Sequence, residues 1–362
     1  MKKTQVLACG CGGCGNNLLE DFLNLDRRYT GIYMNTNLAE MEGKSFFDRE
    51  RKCFYIPNAD GTGKDRDLCE KYVKEEYPKF LEKINNFPEQ NHLIFYTSAN
   101  GGTGSKASLL LPKLIKKVYP YKSVSVCATM PNIGESDIDF RNAEDFWNEL
   151  LDAKKKDIVD NFYLIDNNKQ LSERQINRYA MADLNASFDD VIQGNLDSSD
   201  IVRFHTAKGY NVVLRLDARS RSTTEAIEKA MDESVFFMPT PNDNNKIECD
   251  VFIANININN FDEKEIKNKF SAFEFSKVNL TTEGETTILL GGCNIPKDAI
   301  ELVQEALEEI NRRKTTRQKD DIDDLFISKD NRNKKPINNN KPTARISSKD
   351  LDDLFADDDF WN

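Results

Sequence analysis

Two glycine-rich turns carry the chemistry that can be read in this chain. Gly10-Cys11-Gly12-Gly13-Cys14-Gly15 stands near the amino terminus, and Asn100-Gly101-Gly102-Thr103-Gly104-Ser105-Lys106-Ala107 follows further on. Without a Cβ the backbone turns sharply and can aim several N–H groups at one anion. A helix starting at the turn adds the positive end of its dipole. One such turn is an ordinary signal; two predict a single polyphosphate gripped from two sides.

The flanking segments are suited to positioning these turns. Apolar runs at 4–9 and 92–97 read as strands before them, and stretches at 16–23 and 106–118 read as helices behind them. Further strands are predicted at 32–34, 123–129 and 162–165, separated by helical patterns such as 67–84 and 142–155. This alternation predicts an α/β fold with a doubly wound, mostly parallel sheet over residues 1–171, whose binding crevice lies at the carboxyl ends of the strands. Both turns sit at such ends. Residues 172–193 lack proline and glycine and carry apolar residues at helical spacing, which predicts a long central helix, with a polar loop running on to 206. Residues 207–312 read as a smaller α/β domain, with strands at 211–216, 251–256 and 286–290 and helices at 222–232, 262–270 and 296–311. It carries no catalytic constellation of its own.

From 313 the composition changes to a basic run and then an acidic, polar stretch. Asp321-Ile322-Asp323-Asp324-Leu325-Phe326 recurs as Asp350-Leu351-Asp352-Asp353-Leu354-Phe355, and Phe360 and Trp361 close the chain. Such composition predicts a disordered tail with two acidic-hydrophobic motifs suited to docking on an adaptor or a neighbouring subunit.

Bulk properties narrow the class. A net charge of −11 over 362 residues argues against a surface that coats nucleic acid and leaves room only for a local DNA-binding patch; the expected link to DNA is indirect. No stretch approaches the ~20 apolar residues of a membrane helix. Met1-Lys2-Lys3 runs straight into the first strand pattern, leaving no room for a signal peptide, and the expectation is a cytoplasmic protein without a membrane partner. The 8 cysteines then read as reduced thiols. Cys11 and Cys14 read as small packing residues, and no metal site is built from side chains.

Two familiar phosphate motifs fail. Gly10, Gly12 and Gly15 satisfy Gly-x-Gly-x-x-Gly, which raises the alternative of an NAD-dependent oxidoreductase. That site wants an acid after the second strand, where the chain has Asn35-Thr36-Asn37, and it leaves the second turn unused. The second turn is not a Walker A loop, because Lys106 is followed by Ala107. Lys106 reads either as a phosphate partner or as a solvated residue of the first helical turn.

Together these residues resemble the tubulin/FtsZ superfamily of GTPases. Gly10, Cys11, Gly12, Gly13, Cys14 and Asn17 resemble its first phosphate loop. Asn100, Gly101, Gly102, Thr103, Gly104 and Ser105 resemble its Gly-Gly-Gly-Thr-Gly-Ser/Thr-Gly signature, with Asn100 and Lys106 replacing the outer glycines. Asn35 and Asn37 resemble the Asn-Thr-Asp loop, and Gly61, Thr62 and Gly63 the γ-phosphate loop. Glu135 and Arg141 resemble the ribose and base contacts, Asn167 the guanine reader, and Asn177 a second base contact. Asn195, Asp197 and Asp200 match the Asn-x-Asp-x-x-Asp/Glu synergy loop.

The resemblance implies GTP and GDP as ligands, Mg²⁺ as counter-ion, and self-assembly head to tail, with Asp197 and Asp200 completing hydrolysis on the next subunit. Without the resemblance, these two aspartates read as helix caps. The loop departures and the acidic tail are most similar to the phage and plasmid tubulins, which implies a role in DNA segregation or positioning; a cell-division protein of the FtsZ kind is the alternative.

Overall fold

The computed structural model describes residues 1–57, 63–188 and 196–320. The chain divides into two units, 1–309 and 310–362. The acidic motifs of the tail lie outside the described residues, and residues 311–316 of the second unit are exposed and helical.

The amino-terminal half runs β1 (Val6–Cys11), α1 (Gly12–Leu25), β2 (Thr30–Asn35), α2 (Leu38–Glu42), β3 (Cys53–Tyr55), α3 (Arg66–Asn85), β4 (His92–Ser98), α4 (Thr103–Val118), β5 (Ser123–Thr129), α5 (Asp137–Lys155) and β6 (Asn161–Ile165). Then come α6 (Glu173–Ser187), α7 (Ser198–Thr206), β7 (Gly209–Leu216), α8 (Thr223–Glu233), β8 (Ile247–Asn257), α9 (Glu263–Lys269), β9 (Phe270–Thr281), β10 (Thr286–Cys293) and α10 (Lys297–Asp320).

Among the described residues, ten strands form one sheet in the order β3-β2-β1-β4-β5-β6-β7-β10-β8-β9. Strands β1 to β7 pair in parallel, and β10 runs antiparallel between β7 and β8. The order reverses at β1, which pairs with β2 on one side (Leu7 with Thr30) and β4 on the other (Val6 with His92). Ligands of open parallel sheets bind beyond the strand ends at such a reversal, and both glycine turns emerge there.

Burial explains the elements. Strand β1 is buried along its whole length, and β4 up to Thr97, as expected when helices cover both faces of a parallel sheet. Successive side chains face opposite ways. Val6, Ala8, Ile94 and Tyr96 share a cluster with Leu18, Leu19 and Phe22 of α1 and with Ile176, Ala180, Met181 and Leu184 of α6. Phe95 instead faces Phe80 of α3, their ring centroids 6.5 Å apart. Helix α6 opens on a capping box, Ser172 with Gln175.

Several elements differ from the sequence expectation. Helix α1 begins on the first glycine turn itself, and α6 ends at Ser187, with 189–195 outside the described residues. Strand β3 is too short to show a period. Strand β9 has its alternation blurred because, as a sheet edge, it leaves Phe273 and Leu280 exposed. Residues from 207 onward add β7 to β10 to the common sheet. The junction is stapled by backbone and side chain: Gly209 N donates to Asp160 O at 2.9 Å, and Asn161 Nδ2 donates to His205 O at 2.6 Å.

Candidate functional site

The two glycine turns interlock. Gly12 has φ +71°, a conformation glycine adopts readily, and a Cβ there would stand 3.2 Å from the backbone N of Gly104. A Cβ on Gly104 would overlap the carbonyl oxygen of Cys11 and lie 2.8 Å from Thr97 Oγ1. Each turn therefore fits because the other lacks a side chain. Helices α1 and α4 both begin at this contact, so their amide-rich ends share one crevice.

Second-strand residues close one side. Thr36 Oγ1 lies 3.4 Å from Thr103 Oγ1, joining the β2 end to the second turn. Asn16 clamps β2 by donating to Met34 O at 3.2 Å and accepting from Met34 N at 3.3 Å. Asn37 caps α2, accepting from Ala39 N at 3.1 Å and Glu40 N at 3.4 Å. Glu40 accepts from Asn35 Nδ2 at 2.6 Å, and its carboxylate would stand 3.3 Å from a Cβ on Gly13. An acid thus overhangs the first turn, three residues beyond Asn37. The exposed Asn17 accepts from Lys44 Nζ at 2.5 Å, and Cys14 Sγ lies 3.5 Å from Thr129 Oγ1.

Charged and amide groups close the other side. Asn100 donates to Glu135 and, at 3.3 Å, to Asp139. Asn142 Nδ2 bridges Asn100 O at 3.2 Å and Lys64 O at 2.9 Å, joining the second turn to the segment after Gly63. Lys64 pairs with Asp139. Burial opposes ionisation of Asp139, but hydrogen bonds from Lys64 and Ser136 outweigh it and lower its pKa. At Glu135 burial wins over the Asn132 backbone bond, and the pKa rises.

The Asn167 amide oxygen is buried, and no described group donates to it. Its main-chain carbonyl accepts from Asn132 Nδ2 at 3.3 Å, while Asn168 ties this segment to Ile133 N and Pro131 O. A held loop with an unmatched buried acceptor fits a ligand that brings its own N–H. Asn177 is half-buried on α6 beside the buried Ile176. Arg141 is half-exposed, bonded to Asp137 one turn back at 3.0 Å. Gly61, Thr62 and Asn195 lie outside the described residues.

Lys106 takes neither role read for it: it is half-buried between Glu70 at 2.6 Å and Glu149 at 2.9 Å. Burial disfavours its charge, yet hydrogen bonds to Glu70 and Glu149 raise its pKa. Sequence reading also missed Glu40, Asp139, Asn142 and Arg66. Two of them carried a legible signal, since Asn37-x-x-Glu40 and Ser136-x-x-Asp139 follow capping-box spacing.

Asp197 and Asp200 lie at the opposite edge of the sheet. Asp197 caps α7, accepting from Ser199 N at 2.7 Å and Asp200 N at 3.1 Å; Asp200 reciprocates on Asp197 N at 2.8 Å. Asp200 is buried and also pairs with Lys277 of β9 at 2.6 Å, whereas Asp197 is exposed. The capping reading is thus realised in the single chain. Met1, just before β1, donates its terminal amine to Ser198 O at 2.9 Å. His205 of α7 lies against His92, the first residue of β4, with centroids 5.2 Å apart. The glycine turns leave the other ends of these strands, about 20 Å away at ~3.3 Å per residue.

No protein-family profile matches the chain. It is 26% identical over 248 residues to the tubulin-like protein TubZ of Clostridium botulinum C phage, a match covering 66% of this chain and 67% of that protein. The solved structure of the Clostridium botulinum phage c-st TubZ, truncated at its C-terminal tail, superposes with a TM-score of 0.75 at 22% identity, over 86% of this chain and 99% of that one. A GTPγS-form protofilament of Bacillus thuringiensis serovar israelensis TubZ gives 0.71 at 13% identity, over 87% and 94%. The chain has the tubulin-like fold.

Proposed function

We propose that this tubulin/FtsZ-like chain binds GTP and hydrolyses it to GDP and phosphate, assembling head to tail into filaments in which each site is completed by the next subunit. One observation carries the reading: the interlocked glycine turns and the candidate carboxylates stand at opposite edges of one sheet, too far apart to meet within a chain. A contact between unlike edges is heterologous and propagates without closing. The relatives agree in kind, since one is a protofilament in a GTPγS form.

Within this reading the amide-rich ends of α1 and α4 hold the phosphates, Asn35 and Asn37 shape the β2 side, and Asn167 reads the base with Asn177 beside it. Glu135 and Arg141 stand on the ribose and base side, and Gly61, Thr62 and Gly63 belong to the γ-phosphate loop. Mg²⁺ would be held by the phosphates and the acid-rich β2 side near Glu40, where it would neutralise charge. Asn195, Asp197 and Asp200 of the neighbour orient a water in line with the γ-phosphorus. Its oxygen forms the new P–O bond, its proton passes to a carboxylate, and the bridging oxygen leaves with GDP. A filament of this kind suits segregation or positioning of phage or plasmid DNA, with DNA engaged through an adaptor bound by the tail.

The test is phosphate release and light scattering at rising protein concentration, with GTP against GDP. Turnover per subunit should climb with concentration and scattering should need GTP. Equal turnover in a dispersed monomer would refute completion in trans, and absence of guanine-nucleotide binding would refute the whole reading.

A further inference from the structure

Behind the second glycine turn stands a cluster of charged residues that no part of the reading above uses. Arg66, the first residue of α3, is buried. Its guanidinium donates to Ser105 Oγ at 2.6 Å and to Glu149 Oε2 at 2.5 Å. Glu149 of α5 also accepts from Lys106 at 2.9 Å, and Lys106 reaches Glu70 of α3 at 2.6 Å. Glu70 is also paired with Lys74 one turn on, at 2.8 Å, so three cations and two carboxylates meet among α3, α4 and α5. The Ser105 hydroxyl, itself fully buried, donates to Gly101 O and accepts from Arg66. Its proton is therefore directed into the turn and not toward a ligand.

We propose that Arg66 is the positioning residue of the second phosphate turn, acting through Ser105, and that Glu149, shared with Lys106, holds Arg66 in place. Arginine suits this role because two arms of one planar fork are used at once, one on a hydroxyl and one on a carboxylate. Lys106 belongs to the same device: it stands where the signature has glycine, and it bridges the half-buried carboxylates of Glu70 and Glu149. The inference rests on the phosphate reading of the turn, but its geometric content does not need a nucleotide.

The test uses the full-length chain with Arg66→Gln, Arg66→Lys, Ser105→Ala and the double variant Arg66→Gln/Ser105→Ala. Amide hydrogen exchange across residues 101–105 is followed without nucleotide, and affinity for GDP and a non-hydrolysable GTP analogue is measured by calorimetry. Loss of a charged hydrogen bond predicts roughly ten- to hundredfold faster exchange and roughly ten- to hundredfold weaker binding in Arg66→Gln. Ser105→Ala should match it, and the double variant should be no worse than the worse single one, because the two act in series. Lysine should restore part of both signals.

Unchanged exchange in Ser105→Ala, which removes one oxygen, would overturn the proposal even if the Arg66 variants failed to fold. Additive losses in the double variant would overturn it too, since they mean that Arg66 acts elsewhere. Wild-type protein that binds no guanine nucleotide would instead refute the proposed function and leave the exchange result to decide this one.

Discussion

The two edges of the sheet are built on different principles. At the carboxyl edge, turns are packed backbone to backbone, and amides and carboxylates from β2, α2, α4 and α5 bridge one loop to the next. Some groups there still wait for a partner, Asn167 Oδ1 among them. At the amino edge the two aspartates are already matched, although His205 Nδ1 is buried there without a partner among the described residues. Asp197 and Asp200 cap α7, Asp200 holds Lys277, and two neutral histidines are buried behind them. The proposed function gives the first edge to the ligand and the second, whose acids are held by their own caps and by Lys277, to the neighbouring molecule. Under the proposed function the same aspartates would serve both stability and chemistry.

The largest effect that separates the edges is on turnover. Asp200→Ala should retain GTP binding and assembly while phosphate release falls by roughly 10²–10⁴, the range for removing a group that handles a proton in the transition state. It should also lose about 2 kcal/mol of stability with its charged hydrogen bonds, read as a shift in urea midpoint. Lys277→Met separates the two roles: it removes the ion pair but leaves the α7 cap. Normal phosphate release by assembled Asp200→Ala would mean that this edge is structural only.

Next in size is the interlock of the turns. In Gly104→Ala the new methyl group would overlap the Cys11 carbonyl. The turns must part, weakening GTP binding by about a hundredfold and costing about 1–3 kcal/mol. Calorimetric titration and thermal melting read the two effects. Wild-type affinity in a folded Gly104→Ala protein would break the claim that the turns are one site.

Acid should weaken the amino edge through its histidines. Burial lowers the His92 pKa to about 3 and pushes His205 well below its ordinary value. The unfolded chain takes up these protons near pH 6.5, and the folded chain does not. Stability conferred by the neutral rings is therefore complete above pH 6.5 and lost as pH falls toward 3. For His92 alone the loss is on the order of 3–4 kcal/mol. Denaturation midpoints of wild type and His92→Gln, compared from pH 7 to 4, should converge as pH falls; parallel curves would show that the histidines titrate normally.

The smallest effect concerns the cap on the β2 side. Asn37→Ala removes the acceptor for Ala39 N and Glu40 N and should cost about 1 kcal/mol. By loosening Glu40 over the first turn, it should weaken GTP binding only a few fold. A loss as large as that of Gly104→Ala would place Asn37 in direct contact with the ligand.

Much of this was legible because it is local. Glycine spacing, apolar runs and helical periods need only near neighbours, so both turns, their strands and the parallel alternation were readable. One cap was read too, that of Asp197 and Asp200; the Ser172–Gln175 box has the same legible spacing and was not read. The pairing of distant groups was not. Lys106 read as a phosphate partner or as solvated because nothing in its own segment points to Glu70, on one helix before it, or to Glu149, on one after it. Arg66 had no motif at all.

Sequence alone determined that two glycine turns would lie at strand ends and that an acid-bearing segment would follow the central helix, since side-chain size and hydrogen-bonding capacity impose those conformations within a few residues. Tertiary structure decided everything that depends on what crosses the sheet. The turns interlock because β1 and β4 are neighbours in register. The acids lie at the far edge because the amino terminus and the first residue of β4 anchor α7. Asn100 and Lys106 are tolerated because carboxylates from α3 and α5 reach them. Such contacts depend on distance in space, which the order of residues along a chain does not carry.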